Sequence, residues 1–341
     1  MNKILHICTL DKFIPAFVDL VERSFEFEHH MFILFGDINK YPIELRPNVI
    51  HWKGSFQIFL LLKEMQQAQK IILHGIFNNK INLLLAIQPW LLKKCYWVVW
   101  GGDLYLYQLR THDIKSNMYE AVRAFVIRRM GHFVTYVKSD YELAQQWYGA
   151  TGQYHECLMY PSNLYKEYVI PPKTGTAINI LVGNSATSTN NHTEIFEKLS
   201  VYKNEDVMIY CPLSYGDSDY AKLVAQKGIE LFGGRFVALM DFMPFEKYLE
   251  LLGKIDIAIF AHKRQQAMGN TITVLGLGKK VFMRSDVTQW RLFEEIGVKV
   301  FDVSKLSLEF LADDAKRQNI KKIKELFSEK ILIEQYSKIF G

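Results

Sequence analysis

Several short stretches of this chain combine residue types that bind phosphate or move protons. In 256–278 an apolar run, DIAIF, leads into His262, Lys263, Arg264, Gln265 and Gln266, then Gly269 and Asn270. A glycine there lets the backbone approach a ligand, and Asn270 or Thr271 suits the cap of the helix beyond it. A helix start offers unbonded N–H groups and a partial positive charge, and a guanidinium fork matches phosphate oxygens. The pattern predicts a diphosphate site, with a merely solvated Arg264 as the alternative. A second stretch, ILVGNSATSTNNH at 180–192, places Gly183, Asn184 and Ser185 after another apolar run. These residues suit other parts of the same phosphates, or an ordinary Asx/Ser turn before a helix starting near Asn190–Asn191. Neither GxGxxG nor GK[ST] occurs there.

Proton chemistry points to the first half. WGGD at 100–103 sets Asp103 just past an aromatic run, after two glycines. A half-buried carboxylate at a strand end has a raised pKa, as a general base requires. Asp11 is the second candidate, with helix N-cap as its alternative. His74 is the third, with a core histidine as its alternative. Asp217-Ser218-Asp219 has the DxD form that can hold a divalent metal, but it comes after a glycine where a helix should start. It reads as a cap, and no metal or cofactor is expected.

These residues need a scaffold that gathers loops. Strand-length apolar runs occur at Lys3–Thr9, Met31–Phe35, Lys70–Leu73, Tyr96–Trp100, Phe133–Val137 and His155–Met159. Segments of helical period fall near 13–26, 55–68, 79–93, 115–131 and 139–148. The alternation predicts βαβ units in a doubly wound α/β domain. Residues 161–176 hold three prolines and no period, as a linker would. The alternation then resumes with strands at Ile178–Val182, Val207–Tyr210, Ile229–Phe232, Ile257–Phe260, Lys280–Met283 and Lys299–Phe301. The expectation is two Rossmann-like domains, 1–165 and 166–317, facing a central cleft, with a helical tail over 318–341. Every candidate then falls just after a strand, where ligands bind in open parallel sheets.

Composition agrees. The 341 residues suit two domains, and 49% hydrophobic with 23% charged residues excludes wholesale disorder. A net charge of +5 is too small for a nucleic-acid binder, yet fits a protein that meets phosphates or an anionic membrane. Cys8, Cys95, Cys157 and Cys211 are far apart, which argues against a disulfide framework or a zinc site. The N-terminal apolar stretch is too short for a signal peptide, and no run is long enough to span a bilayer. A cytoplasmic protein, at most peripheral to a membrane, is expected. Aromatic residues reach 14%, and Tyr96, Trp97, Trp100, Tyr105 and Tyr107 gather around WGGD as core or as a sugar-facing wall. The helices at 55–68, 79–93 and 115–131, the last with Arg123, Arg128 and Arg129, are apolar on more than one face and basic at the edges. That pattern suits an anionic bilayer, or packing between sheet and neighbours.

At these motifs the chain resembles glycosyltransferase family 56. These bacterial transferases add 4-acetamido-4,6-dideoxygalactose (Fuc4NAc) from its dTDP form to lipid-linked enterobacterial common antigen. The resemblance is carried by His6 with Asp11, HGIFN at 74–78, WGGDLY at 100–105, ILVGNS at 180–185 with Asn191-His192, and RQQ at 264–266 before Gly269. It implies a GT-B fold, a dTDP-sugar donor, a polyprenyl-diphosphate-linked saccharide acceptor, and peripheral association with the cytoplasmic face of the inner membrane. It implies donor-side roles for Gly183, Asn184, Ser185, Arg264, Gln265 and Gln266, and acceptor-side or catalytic roles for Asp11, His74 and Asp103. The chain departs from the family pattern after Cys211, in the linker and over 105–117. An O-antigen transferase using a related dTDP-amino-dideoxyhexose is the alternative, ahead of a nucleotide-sugar epimerase or a sugar-binding sensor.

Overall fold

The computed structural model describes residues 3–54, 57–171 and 173–341. Two compact units result: the chain up to Asn163 together with Glu329–Gly341, and Leu164–Ser328. The last helix, Glu329–Phe340, thus belongs to the first unit, and the helix before it, Asp313–Leu326, to the second.

The first unit is built on seven strands: β1 (Ile4–Thr9), β2 (His30–Phe35), β3 (Val49–His51), β4 (Lys70–His74), β5 (Cys95–Val98), β6 (His132–Val134) and β7 (Gln153–His155). They run parallel in the order β3-β2-β1-β4-β5-β6-β7. The central strands are apolar throughout because helices cover both faces of such a sheet. The second unit holds β8 (Ile178–Val182), β9 (Val207–Pro212), β10 (Phe236–Leu239), β11 (Ile257–Phe260), β12 (Lys280–Met283) and β13 (Phe301–Asp302). They are parallel in the order β10-β9-β8-β11-β12-β13. In each sheet the strand order reverses once, between β1 and β4 and between β8 and β11. Such a reversal leaves a crevice at the carboxyl ends of the two strands.

Several elements differ from the sequence expectation. Ile229–Phe232 is the end of the helix Ser218–Phe232, not a strand. Ala221, Val224, Gly228 and Phe232 form its buried face at helical spacing while Ile229 is exposed, and Gly233 with φ +57 stops it. The strand is the next apolar run, Phe236–Leu239. The expected His155–Met159 strand lies earlier, at Gln153–His155. After it, Leu158 N–H bonds Gln335 Oε1 (2.8 Å) and Met159 O accepts from Tyr336 OH (2.8 Å), so the last helix takes the place of a neighbouring strand. β3 has no counterpart in the expectation, being three residues long. Pro89 splits the 79–93 segment into the α-helix Asn79–Ile87 and a 3-10 turn, Pro89–Lys94. The 55–68 segment is helical over Ile58–Gln67, with Ser55 and Phe56 of that expectation outside the described residues, as is Pro172 of the linker.

The last helix buries Leu332, Tyr336, Ile339 and Phe340 in the first unit, with the Tyr336 ring 5.2 Å from Phe17. Tyr336→Ala should therefore lower the unfolding free energy by about 3–5 kcal/mol, read from urea denaturation. A change within ±0.5 kcal/mol would mean that this helix is not part of the unit's core.

Candidate functional site

In the second unit, β8 ends at Gly183, whose φ of +69 suits glycine. A Cβ there would lie 2.6 Å from His192 Nε2 and 2.8 Å from Asn190 Oδ1, so the turn closes only around a residue without one. Asn190, fully buried, organises the loop beyond this turn. Its Oδ1 accepts from Asn184 N–H (3.0 Å) and from His262 Nε2 (2.9 Å), and its Nδ2 donates to Thr187 Oγ1 (2.7 Å). His262 Nε2 also lies 3.1 Å from Asn184 Oδ1, and because both amide oxygens can only accept, His262 carries its proton on Nε2. Burial keeps it neutral, its pKa lowered to about 3, with Arg264 and His192 adding to the effect. Its Nδ1 is left without a hydrogen-bond partner among the described residues.

From the end of β11, Gln266 reaches the same group. Its Nε2 donates to Asn184 Oδ1 (3.3 Å) and Thr187 Oγ1 (3.3 Å), and its Oε1 accepts from Thr189 Oγ1 (2.8 Å). Its backbone N–H meets Gln289 Oε1 (3.2 Å). Gly183, Asn184, Ser185 and Gln266 are thus brought together at the β8/β11 reversal, as a cradle of amides and hydroxyls. Gln265 is buried nearby in the chain, and Arg264 is partly exposed and holds the Gln265 carbonyl through Nη1 (3.0 Å). Gly269 and Asn270 lie in the first turn of the helix Met268–Gly276. The cap expected at Asn270 or Thr271 is instead Ala267, in left-handed geometry (φ +58), and Thr271 Oγ1 turns back to the Ala267 carbonyl (3.0 Å). The free N–H groups of this start therefore belong to residues 268–270.

Thr187, Thr189, Asn190 and Gln289 were missed by sequence reasoning. The helix expected to start near Asn190 begins at His192, with Asn191 before it, which leaves Asn190 to the network. The signal was the density of short polar side chains in SATSTNN, which serves a hydrogen-bond network as readily as a turn.

The first unit treats its candidates differently. Asp103 is fully buried and accepts four N–H groups: Trp97 Nε1 (2.7 Å) and Ile76 N (3.1 Å) on Oδ2, Trp100 N (3.0 Å) and Leu104 N (2.9 Å) on Oδ1. Burial raises its pKa, against the pull of Trp97 and Arg123. With both oxygens engaged it clamps the HGIF loop to the WGGD loop, and no lone pair faces a substrate. Asp11 lies beyond β1, is partly exposed, and accepts Lys12 N–H (2.5 Å). It is not the cap of the helix Ile14–Ser24, whose cap position is Phe13.

His74 belongs to a buried chain. Trp100 Nε1–H can only donate, so Tyr160 OH accepts it (2.7 Å) and donates to His74 Nδ1 (2.7 Å). His74 Nε2–H then donates to His6 Nδ1 (3.1 Å), and His6 Nε2–H to His30 Nδ1 (2.9 Å). All three rings are neutral Nε2–H tautomers, with desolvation lowering His74 to about 3 and His30 to about 4. His74 is thus a satisfied core histidine. Of the aromatics around WGGD, Tyr96, Trp97 and Tyr105 are core, whereas Trp100 and Tyr107 keep some exposure. Arg123, expected on a membrane-facing edge, is buried. It bonds the Asp103 carbonyl (2.6 Å) and pairs with Glu120, while Arg128 and Arg129 are exposed.

In the DSD motif, Asp217 Oδ1 accepts the N–H groups of Asp219 and Tyr220 (both 2.9 Å), as a helix cap does. No group of three His, Cys, Asp or Glu side chains among the described residues is arranged to hold a metal ion.

Comparison with solved structures places this arrangement. An Anabaena protein, Alr3699/HepE, crystallised with UDP-glucose, superposes with a TM-score of 0.64 at 14% identity, covering 99% of this chain and 98% of that one. A glycosyltransferase from Rickettsia africae gives 0.64 at 16% identity over 100% and 98%. WaaG, a glycosyltransferase of lipopolysaccharide biosynthesis, gives 0.64 at 10% over 99% and 98%. Two parallel-sheet α/β units on this plan define the GT-B class of glycosyltransferases. Within it, the chain belongs to glycosyltransferase group 56, described as 4-alpha-L-fucosyltransferase, whose family model matches residues 37–332.

This geometry sets two expected outcomes. Gly183→Ala should destabilise the protein by about 1–3 kcal/mol in urea melts, the range for a strained left-handed residue; an unchanged midpoint would contradict the turn described. Unfolded histidines take up protons near pH 6.5, whereas His30, His74, His192 and His262 titrate at about 3–4 when folded. Their contribution is complete above pH 6.5 and is lost as pH falls towards 4, by about 1.4 kcal/mol per pH unit for each. Urea melts at pH 7.5 and 5 should show this loss, and equal stability at both would rule out the neutral tautomers.

Proposed function

We propose that this glycosyltransferase moves a 4-acetamido-4,6-dideoxyhexose, Fuc4NAc, from its dTDP form to a saccharide on a polyprenyl diphosphate, working peripherally at the cytoplasmic face of the inner membrane. The observation that carries the donor side is the cradle at the β8/β11 reversal, found in a chain whose family description is fucosyl transfer. Fuc4NAc has the 6-deoxygalactose skeleton of fucose. Arg264, the N–H groups of the 268–270 helix start and the amides of 183–185 would offset the charge that grows on the leaving diphosphate. In the reaction the acceptor oxygen bonds the anomeric carbon as the bond to the diphosphate oxygen breaks, and dTDP leaves with the electron pair. The acceptor proton passes to a base. Asp11 is the partly exposed carboxylate for that role, and Asp103 positions the loops beside it.

The membrane reading draws support from the outer helices of the first unit. Phe59, Ile87, Trp90 and Ile114 are 79%, 62%, 60% and 82% exposed. Over 57–129, ten Lys and Arg stand against four Asp and Glu. Of those four, Glu64 and Asp103 are buried, Asp113 caps a helix and Glu120 pairs with Arg123. Apolar side chains among uncompensated bases suit an anionic bilayer surface. No helix among the described residues is long and apolar enough to cross a membrane.

Incubation with dTDP-Fuc4NAc and synthetic polyprenyl-diphosphate saccharides should release dTDP and add one Fuc4NAc to the acceptor mass. Arg264→Ala should lower kcat/KM about 100-fold with an unchanged urea midpoint. A chain that neither binds dTDP nor releases it with any acceptor would defeat the proposal, and transfer to an O-antigen precursor alone would redirect it to that acceptor.

A further inference from the structure

A small cleft opens at the other strand reversal, between the carboxyl ends of β1 and β4. Ile7, Leu73 and Ile81 give it an aliphatic lining, with Thr9, Asn78 and Asn82 as polar members. Asn82 is 1% exposed. Its Nδ2 donates to the Ile76 carbonyl (3.0 Å), which fixes which way the amide points. Its Oδ1 has no hydrogen-bond partner among the described residues. A buried acceptor left in this state costs free energy that a matching donor recovers. By contrast Asn78 Oδ1 is spent on the N–H groups of Lys80 and Ile81, capping the helix that carries Asn82.

From this we infer that the β1/β4 cleft is a subsite for one small, neutral substituent of the acceptor sugar, with Asn82 Oδ1 taking its O–H or N–H. The inference rests on the reading of the first unit as the acceptor unit. An amide oxygen only accepts, so it selects a donor and repels a carboxylate or phosphate. The aliphatic lining excludes a charged group for a second reason, its desolvation. The surroundings suit a sugar ring. Phe77, next in the chain to the cleft-lining Ile76, is 38% exposed and packs edge-on to the partly exposed Trp100 (5.7 Å, 64°), with Phe13 on Trp100 as well (5.8 Å, 89°). Such rings form a shelf for the C–H face of a pyranose. The shelf and the cleft wall are one rigid piece, because Asp103 binds both Ile76 N–H and Trp100 N–H. Tyr160 holds the indole edge.

The test uses the full chain and three probes: methyl N-acetyl-β-glucosaminide, methyl β-glucoside and methyl 2-deoxy-β-glucoside. At C2 they offer an amide N–H carrying an acetyl group, a hydroxyl, or neither. Affinities are read by ligand-observed NMR, with dTDP affinity as a separate readout of the second unit. One of the two donor-bearing probes should bind about ten-fold more tightly than the 2-deoxy probe, and the better one identifies the donor. Asn82→Leu should erase the difference. Since losing the bond to Ile76 can unfold that variant, Thr9→Leu serves beside it, filling the cleft from its partly exposed rim. It should also erase the preference, with dTDP affinity unchanged. Equal binding of all three probes by the unsubstituted chain, or an undiminished preference in Thr9→Leu, would overturn the subsite, as would a crystal soaked with the preferred probe that shows only a water on Asn82 Oδ1. Failure of the unsubstituted chain to bind dTDP would instead strike the donor assignment, whatever the glycosides do.

Discussion

A parallel sheet that reverses its strand order sends its two central connections to opposite faces, and the loops at the reversal diverge. That constraint decides where chemistry can sit in both units. In the second, the diverging segments are 183–192 and 262–268; in the first, they are 9–13 and 74–78. The peptide groups near these strand ends have fewer ladder partners than those within the sheet. Side chains must supply the missing bonds, and the polar clusters of both units do so.

The two clusters solve that problem with different materials. Around Asn190 the groups are neutral amides and hydroxyls, several of them sharing one acceptor or donor. Such a set can exchange partners with a bound ligand at small cost. Around Asp103 a charge is buried and locked by four donors, which favours rigidity over exchange. The histidine chain extends that rigidity inward, from the indole N–H through Tyr160 to three buried rings.

Much of this was legible in the residues. Fully apolar strands flanked by helical periods announced two parallel sheets, and reading the residues after each strand located both loop clusters. What the sequence could not convey was which side chains are consumed by the fold. WGGD reads as a half-buried acid open to a substrate, but the Trp97 indole of the strand before it and the Ile76 amide from another segment take up its oxygens. Arg123 likewise reads as surface charge until Glu120 and Tyr148 enclose it. Ile229–Phe232 failed for a local reason: four residues are too few to separate a strand from the end of a helix when Gly233 fits either ending.

The return of residues 329–341 to the first unit has a consequence for the order of folding. The second unit is a continuous insert whose ends meet, Tyr165 N–H bonding the Phe327 carbonyl at 2.8 Å. It can complete its core as soon as its own residues are made. The first unit, although synthesised earlier, waits for Tyr336 and Phe340 to close over Phe17 and His30. On the ribosome the half that begins first therefore finishes last, and its apolar surface must stay shielded while the insert is made.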